Sequence, residues 1–148
     1  MYTVRHLLHE KGTQVWSITP SGTVYEALQL MADKNIGALL VLDRGDVQGI
    51  FTERDYARKV ILQGRSSKTT TVGELMTREV LYVGPDDTIE NCMAIMTDKR
   101  LRHLLVIEDG KLIGIVSIGD VVKAIISDRE FTIRELERYI TGGHSSLG

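Results

Sequence analysis

A single cysteine, Cys92, stands among 148 residues, so no disulfide can form within the chain, as expected in a reducing compartment. There is no excess of basic charge either. Eighteen Lys and Arg against 20 Asp and Glu leave a net charge of −2, which argues against a nucleic-acid binder and makes any phosphate recognition local. No apolar run approaches a membrane span, and the leading MYTVRHLLHEKG is too polar for a signal peptide. The expectation is a cytoplasmic protein with no membrane and no nucleic-acid partner. A phosphate loop and a GxGxxG fingerprint are both missing, which excludes dinucleotide binding of the Rossmann kind. His6 and His9 have no third or fourth ligand at fitting spacing, so they read as a solvated or packed pair rather than a metal site. What is present, 43% hydrophobic and 26% charged residues over the length of one ordinary domain, can bury a core without metal or disulfides.

The chain is a duplication. At an offset of 65, Val15–Ile61 aligns with Val80–Ile126 without a gap. Fourteen of these 47 positions are identical, among them Pro20, Thr23, Leu39, Leu40, Val41, Gly45, Gly49, Ile50 and Asp55. Upstream, Thr3–Leu8 (TVRHLL) faces Thr71–Met76 (TVGELM) at an offset of 68, so the first copy carries three extra residues around Lys11–Thr13.

Each copy predicts the order β-α-β-β-α. A short extended segment, Val15–Ile18 or Val80–Val83, ends at a proline, Pro20 or Pro85. The spacing Val24, Ala27, Leu28, Met31, matched by Ile89, Cys92, Met93, Met96, is helical, with Thr23 and Glu26 as a capping-box pair. Cys92 therefore falls on a buried stripe and reads as core rather than nucleophile. Two apolar runs around DRGD (43–46) or EDGK (108–111) predict hairpins, and a second helix starts near Thr52 or Ser117. Trp16 reads as packing or as a dimer contact. The expected division is 3–63 and 72–128 as the repeats, the polar GRSSKTTT (64–71) as a linker, and 129–148 as a C-terminal helix and tail. A capping-box pair, Thr132 and Glu135, opens that short amphipathic helix. One copy has too little core to stand alone, so the fold class expected is α+β, two such units packed sheet to sheet about a pseudo-twofold axis.

The two copies converge on GIFTERD (49–55) and GIVSIGD (114–120). A hydroxyl residue before a helix is a common N-cap, and an acidic residue in the first turn complements the helix dipole. Capping alone explains Thr52 and Ser117. It explains less well why Gly49, Ile50 and Asp55 all recur.

The paired G-I-x-[TS]-x-x-D motifs, with the TVxxL[LM] segments, the V-x-x-[IV]-x-P approach and the LLV strand, resemble the cystathionine β-synthase (CBS) domain pair, or Bateman module, over about residues 3–127. The resemblance implies two intertwined units that bind adenosine nucleotides such as AMP, ATP, NAD or S-adenosylmethionine in clefts, dimerise into flat discs and act as regulatory sensors. It puts the backbone of Ile18, Thr19 and Pro20, and of Val83 to Pro85, at the adenine edge, with Ala38 or His103 near the base. Chemistry supports further positions. A carboxylate reads a vicinal diol well, which makes Asp55 and Asp120 the ribose candidates. Thr52 and Ser117, backed by helix N-terminal amides, suit a phosphate oxygen.

The copies differ where phosphate would be met. Copy one has Glu53, Arg54, Arg58 and Lys59 where copy two has Ile118, Gly119, Lys123 and Ala124; copy two has Arg100, Arg102 and His103 where copy one has Asn35, Gly37 and Ala38. Arg54, Arg102 and His103 are the expected phosphate donors, at two unequal sites. No general base accompanies Thr52 and Asp55, so no enzyme and no catalytic cofactor are expected. The function expected is a regulatory adenosine-nucleotide module, most simply a homodimer, that reports energy or redox state to another protein. The alternative is a structural dimerisation module with empty clefts.

Overall fold

The computed structural model describes residues 2–142, and their side chains as far as residue 138. The described chain forms two compact units, one of residues 14–80 and the other of residues 2–13 with 81–142.

In the 14–80 unit, β1 (Ser17–Ile18) leads to α2 (Val24–Lys34), then to the hairpin of β2 (Ala38–Asp43) and β3 (Asp46–Thr52). A short helix, α3 (Glu53–Tyr56), follows and widens into a π-helical stretch at Ala57–Ile61; α4 (Val72–Leu75) comes last. Strand order is β1-β2-β3, with β1 parallel and β3 antiparallel to β2. The other unit repeats the plan. It contains α1 (Val4–Lys11), β4 (Tyr82–Val83), α5 (Ile89–Lys99), β5 (His103–Glu108), β6 (Lys111–Ser117) and α6 (Ile118–Gly142), with sheet order β4-β5-β6.

Local chemistry explains each element. Thr23 Oγ1 accepts from Glu26 N (3.1 Å) while Glu26 Oε1 accepts from Thr23 N (3.0 Å), the reciprocal cap that the sequence predicts. The hairpins turn through Arg44-Gly45 (φ 53° and 84°) and Asp109-Gly110 (φ 52° and 76°), left-handed at both central residues, as a two-residue turn of type I′ requires.

The units of packing cut across the units of sequence. The core of the 14–80 unit takes Val24, Ala27, Met31, Leu39, Val41, Phe51 and Val60 from the first repeat, and Val72, Leu75 and Met76 from the segment that leads the second. Val4, Leu7 and Leu8 of α1 complete the core made by Ile89, Cys92, Met96, Leu104, Val106, Val116 and Val121. The two leaders are tied in the same way. Val72 N donates to Gly22 O (2.8 Å) and Gly73 N to Pro20 O (2.9 Å); at the equivalent positions Val4 N donates to Asp87 O (2.9 Å) and Arg5 N to Pro85 O (2.8 Å).

Two expectations change. Residues 64–71 contain no helix or strand, as expected of a polar stretch, yet they are fastened to α2: Val24 N donates to Thr70 O (2.9 Å) and Tyr25 N to Ser67 O (2.8 Å), and Thr70 is buried. These carbonyls satisfy amides that the first turn of a helix leaves without partners. The separate helix expected from Thr132 is instead a continuation of α6, which runs unbroken from Ile118 to Gly142. With no proline to interrupt it, Thr132 Oγ1 donates back to Asp128 O (3.0 Å), four residues earlier, rather than starting a new helix. The side chain of Ile140 and the tail from residue 143 lie outside the described residues.

Candidate functional site

Each motif is built at the mouth of a hairpin. Ala38 pairs with Thr52 and His103 with Ser117, so the residue expected near a base lies directly across from the motif hydroxyl. The motif glycines are set by close approach. A Cβ on Gly49 would lie 2.5 Å from Thr77 O, because Ile50 and Thr77 exchange backbone hydrogen bonds there (2.9 and 2.8 Å). On Gly114 it would meet Leu8 Cδ2 of α1 at 2.8 Å. In both units the glycine admits the leading segment against the sheet, so its recurrence has a packing cause.

The hydroxyls are caps. Asp55 N donates to Thr52 Oγ1 (3.0 Å) and Asp120 N to Ser117 Oγ (3.1 Å). The first helical amides are also engaged, Glu53 N by Gly37 O (3.0 Å) and Ile118 N by Arg102 O (2.8 Å). Two of the amides expected to face a phosphate are therefore spent within each unit.

The carboxylates differ sharply. Asp55 is 7% exposed. Its Oδ2 accepts from Thr52 N (3.0 Å) and Thr52 Oγ1 (3.1 Å), and its Oδ1 accepts from Thr77 Oγ1 (3.0 Å) and is ion-paired with Lys59 Nζ (3.1 Å), which donates its hydrogen bond to Leu75 O (3.0 Å). Asp120 has a side chain 27% exposed, and its Oδ2 accepts from Ser117 N (2.8 Å) and Lys11 Nζ (2.5 Å). Partial burial pushes the Asp120 carboxyl up, but the Lys11 ammonium and the Ser117 groups together outweigh it and hold the carboxyl below the usual range. Beside Asp120 opens a cavity of about 240 Å³ whose lining includes Lys11, Lys123, Tyr2 and Ser127.

Other expected site residues are dispersed. Because β1 runs parallel to β2 with Ile18 beside Val41, the segment Ile18, Thr19, Pro20 lies at one end of the sheet and Ala38 and Thr52 at the other. The same holds for Val83 to Pro85 against His103, Ser117 and Asp120. Within each unit, then, the expected adenine-edge backbone and the motif do not come together, and the proline carbonyls serve the leading helices. At the motif's end of the first sheet stands Trp16, whose carbonyl accepts from Leu40 N (3.1 Å) and whose ring carries Lys34 Nζ at 4.3 Å from its centre. Arg54 and Arg102 are exposed and His103 is half-buried. Asn35 and Arg100 are the left-handed C-caps of α2 and α5 (φ 55° and 56°), which gives that pair a structural role. His6 Nδ1 accepts from Thr3 N (3.1 Å) as part of the α1 cap, and no metal-holding cluster occurs among the described residues. Sequence reading missed Lys11, Thr77 and the Lys59–Asp55 pair. Only the three-residue excess at Lys11–Thr13 signalled one of them.

Among curated proteins, the mitochondrial CBS domain-containing protein CBSX3 of Arabidopsis thaliana is 46% identical over 138 residues, 90% of this chain; the chain spans 66% of that relative's length. A solved CBS-domain protein of Burkholderia ambifaria is 53% identical with a TM-score of 0.81, covering 85% of this chain and 95% of its own. CBSX2, solved in complex with AMP, is 32% identical with a TM-score of 0.66, covering 87% and 99%. A hexameric CBS-CP12 protein of bloom-forming cyanobacteria is 28% identical with a TM-score of 0.74, covering 97% and 88%. No described helix is long and apolar enough to cross a membrane. The CBS-domain family model matches residues 4–61 and again 72–127, and with two motif-bearing repeats in two α+β units the chain belongs to the CBS-domain family as a tandem pair.

Proposed function

We propose that this CBS pair is a cytoplasmic regulatory module that binds an adenosine nucleotide, AMP, ATP or NAD, and passes the binding event to another protein as a change of conformation or assembly. The observation that carries the reading is Asp120: a partly exposed carboxylate, held in its ionised form beside a cavity with two lysines, in the motif of a family that includes a solved AMP complex. Such a carboxylate accepts the paired hydroxyls of a ribose, and an ammonium beside it suits a phosphate. In this reading half-buried His103, across the hairpin from Ser117, reads the base edge, and the exposed Arg54 and Arg102 meet phosphate.

Exposed apolar side chains on the helices after each motif, Ile61, Leu62, Val122 and Ile126, favour self-association as a homodimer. Isothermal titration with AMP, ATP and NAD, with sedimentation of the free and loaded protein, tests both parts. Binding of at least one nucleotide, with a rise in unfolding temperature and a shift in conformation or mass, is expected. A dimer that binds none of the three would overturn the sensor reading and leave a structural dimerisation module.

A further inference from the structure

The two motif carboxylates differ in what they have left to offer. A carboxylate presents about four lone-pair directions; on Asp55, Thr52 N, Thr52 Oγ1 and Thr77 Oγ1 take three of them, and the Lys59 ammonium lies against Oδ1, so both oxygens are engaged. Asp120 carries its two donors on Oδ2, and its Oδ1 has no hydrogen bond among the described residues. The oxygen that remains belongs to the more exposed carboxylate, at the cavity.

One of the two donors on Asp120 is an insertion product. Lys11 closes α1 at the start of the three residues that the first repeat has in excess. Its Nζ donates to Asp120 Oδ2 (2.5 Å) and to Ile115 O (2.7 Å), so a backbone carbonyl helps hold the ammonium over the carboxylate. Gly12, at φ 99°, turns the chain away immediately afterwards. The other leader sends the Thr77 hydroxyl, an uncharged donor, to its carboxylate, where the cation is Lys59, one turn along the same helix. The residue equivalent to Lys59 is Ala124, so Asp120 depends on Lys11 for its counter-ion. Glu10 is the second carboxylate lining the cavity, and Lys123 adds a second cation.

We propose that Lys11 is a phosphate-selective gate on the Asp120 subsite, built from the insertion that distinguishes the first repeat; the proposal rests on the nucleotide reading above. A ribose diol uses both carboxylate oxygens, so it must share or displace the ammonium on Oδ2. A neutral nucleoside offers that ammonium no replacement anion, and breaking a partly buried ion pair without one is unfavourable. A nucleotide offers its own phosphate, to which the lysine transfers as a mobile point charge. Asp120 and Lys11 together then discriminate nucleotide from nucleoside, while Asp55 is a structural carboxylate.

Calorimetric titration of adenosine and AMP into wild type, Lys11→Met and Lys11→Arg tests this. The methionine keeps the apolar stem and removes the charge; the arginine keeps the charge. Wild type is expected to prefer AMP, Lys11→Met to narrow that preference about tenfold, chiefly by binding adenosine more tightly, and Lys11→Arg to retain it. An unchanged AMP-to-adenosine ratio in Lys11→Met, with both ligands still bound, overturns the gate and leaves the nucleotide reading standing. Failure of wild type to bind AMP, ATP or NAD overturns the nucleotide reading and the gate with it.

Discussion

Replacing Asp55 by alanine removes a buried carboxylate whose partners all lie within the fold. Three hydrogen-bond donors and the Lys59 ammonium converge on that carboxylate at 3.0–3.1 Å, and its side chain is 9% exposed. The magnitude follows from what is stranded. The Thr52 amide and the Thr77 hydroxyl lose a charged acceptor, each costing about 1–2 kcal/mol in a part-buried setting. The reciprocal cap of α3 is lost as well, for about 1 kcal/mol. Lys59, with a side chain 38% exposed, rehydrates, and its pair contributes about 0–1 kcal/mol after screening. The expected loss is about 3–6 kcal/mol, or roughly 10–15 °C in unfolding midpoint for a chain of this size. Asp120→Ala strands the Ser117 amide and the partly exposed Lys11, with an expected loss of about 1–2 kcal/mol. Urea unfolding followed by circular dichroism measures both variants under one set of conditions. Equal midpoints, or a larger loss for Asp120→Ala, would show that the donors and the ammonium around Asp55 contribute no extra stability and would refute this reasoning.

Three further outcomes follow from the geometry. Gly49→Ala places a methyl 2.5 Å from a backbone oxygen, so it is expected to destabilise by about 2–4 kcal/mol, whereas Gly114→Ala meets the movable end of Leu8 and loses about half that; thermal melts of the pair decide it. Because the folded Asp120 carboxyl is depressed, its contribution to stability is present above about pH 4 and lost as pH falls through the lower folded value. Titration of the carboxyl by NMR should show its midpoint rising toward the ordinary range in Lys11→Met, and an unmoved midpoint counts against the Lys11 pair. Cys92 has a thiol pushed up to about 11, first by burial, and it is fully enclosed, so a thiol reagent at pH 8 should label it only as the protein unfolds. Rapid labelling of the native protein would contradict that packing.

Much of this fold is written locally. Thr23 with Glu26, Arg44-Gly45 and the stripe ending in Met31 and Met96 each act within a few residues, and the structure realises them as cap, turn and core. The duplication carried those local readings to both units. What stayed hidden depends on distant partners. Thr77 reaches Asp55 across 22 positions and Lys11 reaches Asp120 across 109, and no periodicity in the sequence announces either. The Thr132–Glu135 pair misled because a capping signature starts a helix only where the preceding turn is not already helical; inside α6 the same hydroxyl bonds backwards. The Ile18–Pro20 segment misled for another reason. Resemblance gave its role, but strand direction puts it at the opposite end of its sheet from the motif.

The placement of α1 also sets an order of events during synthesis. Residues 14–80 form a unit contiguous in sequence, so it can close as soon as α4 has emerged from the ribosome. The apolar face of α1, with Val4, Leu7 and Leu8, is made first yet has its partners at Val83 to Ala124. It must wait, exposed, through some seventy further residues, several seconds at ordinary elongation rates. Its late docking is a long-range closure, and a segment translated ahead of its partners is among the last to be buried.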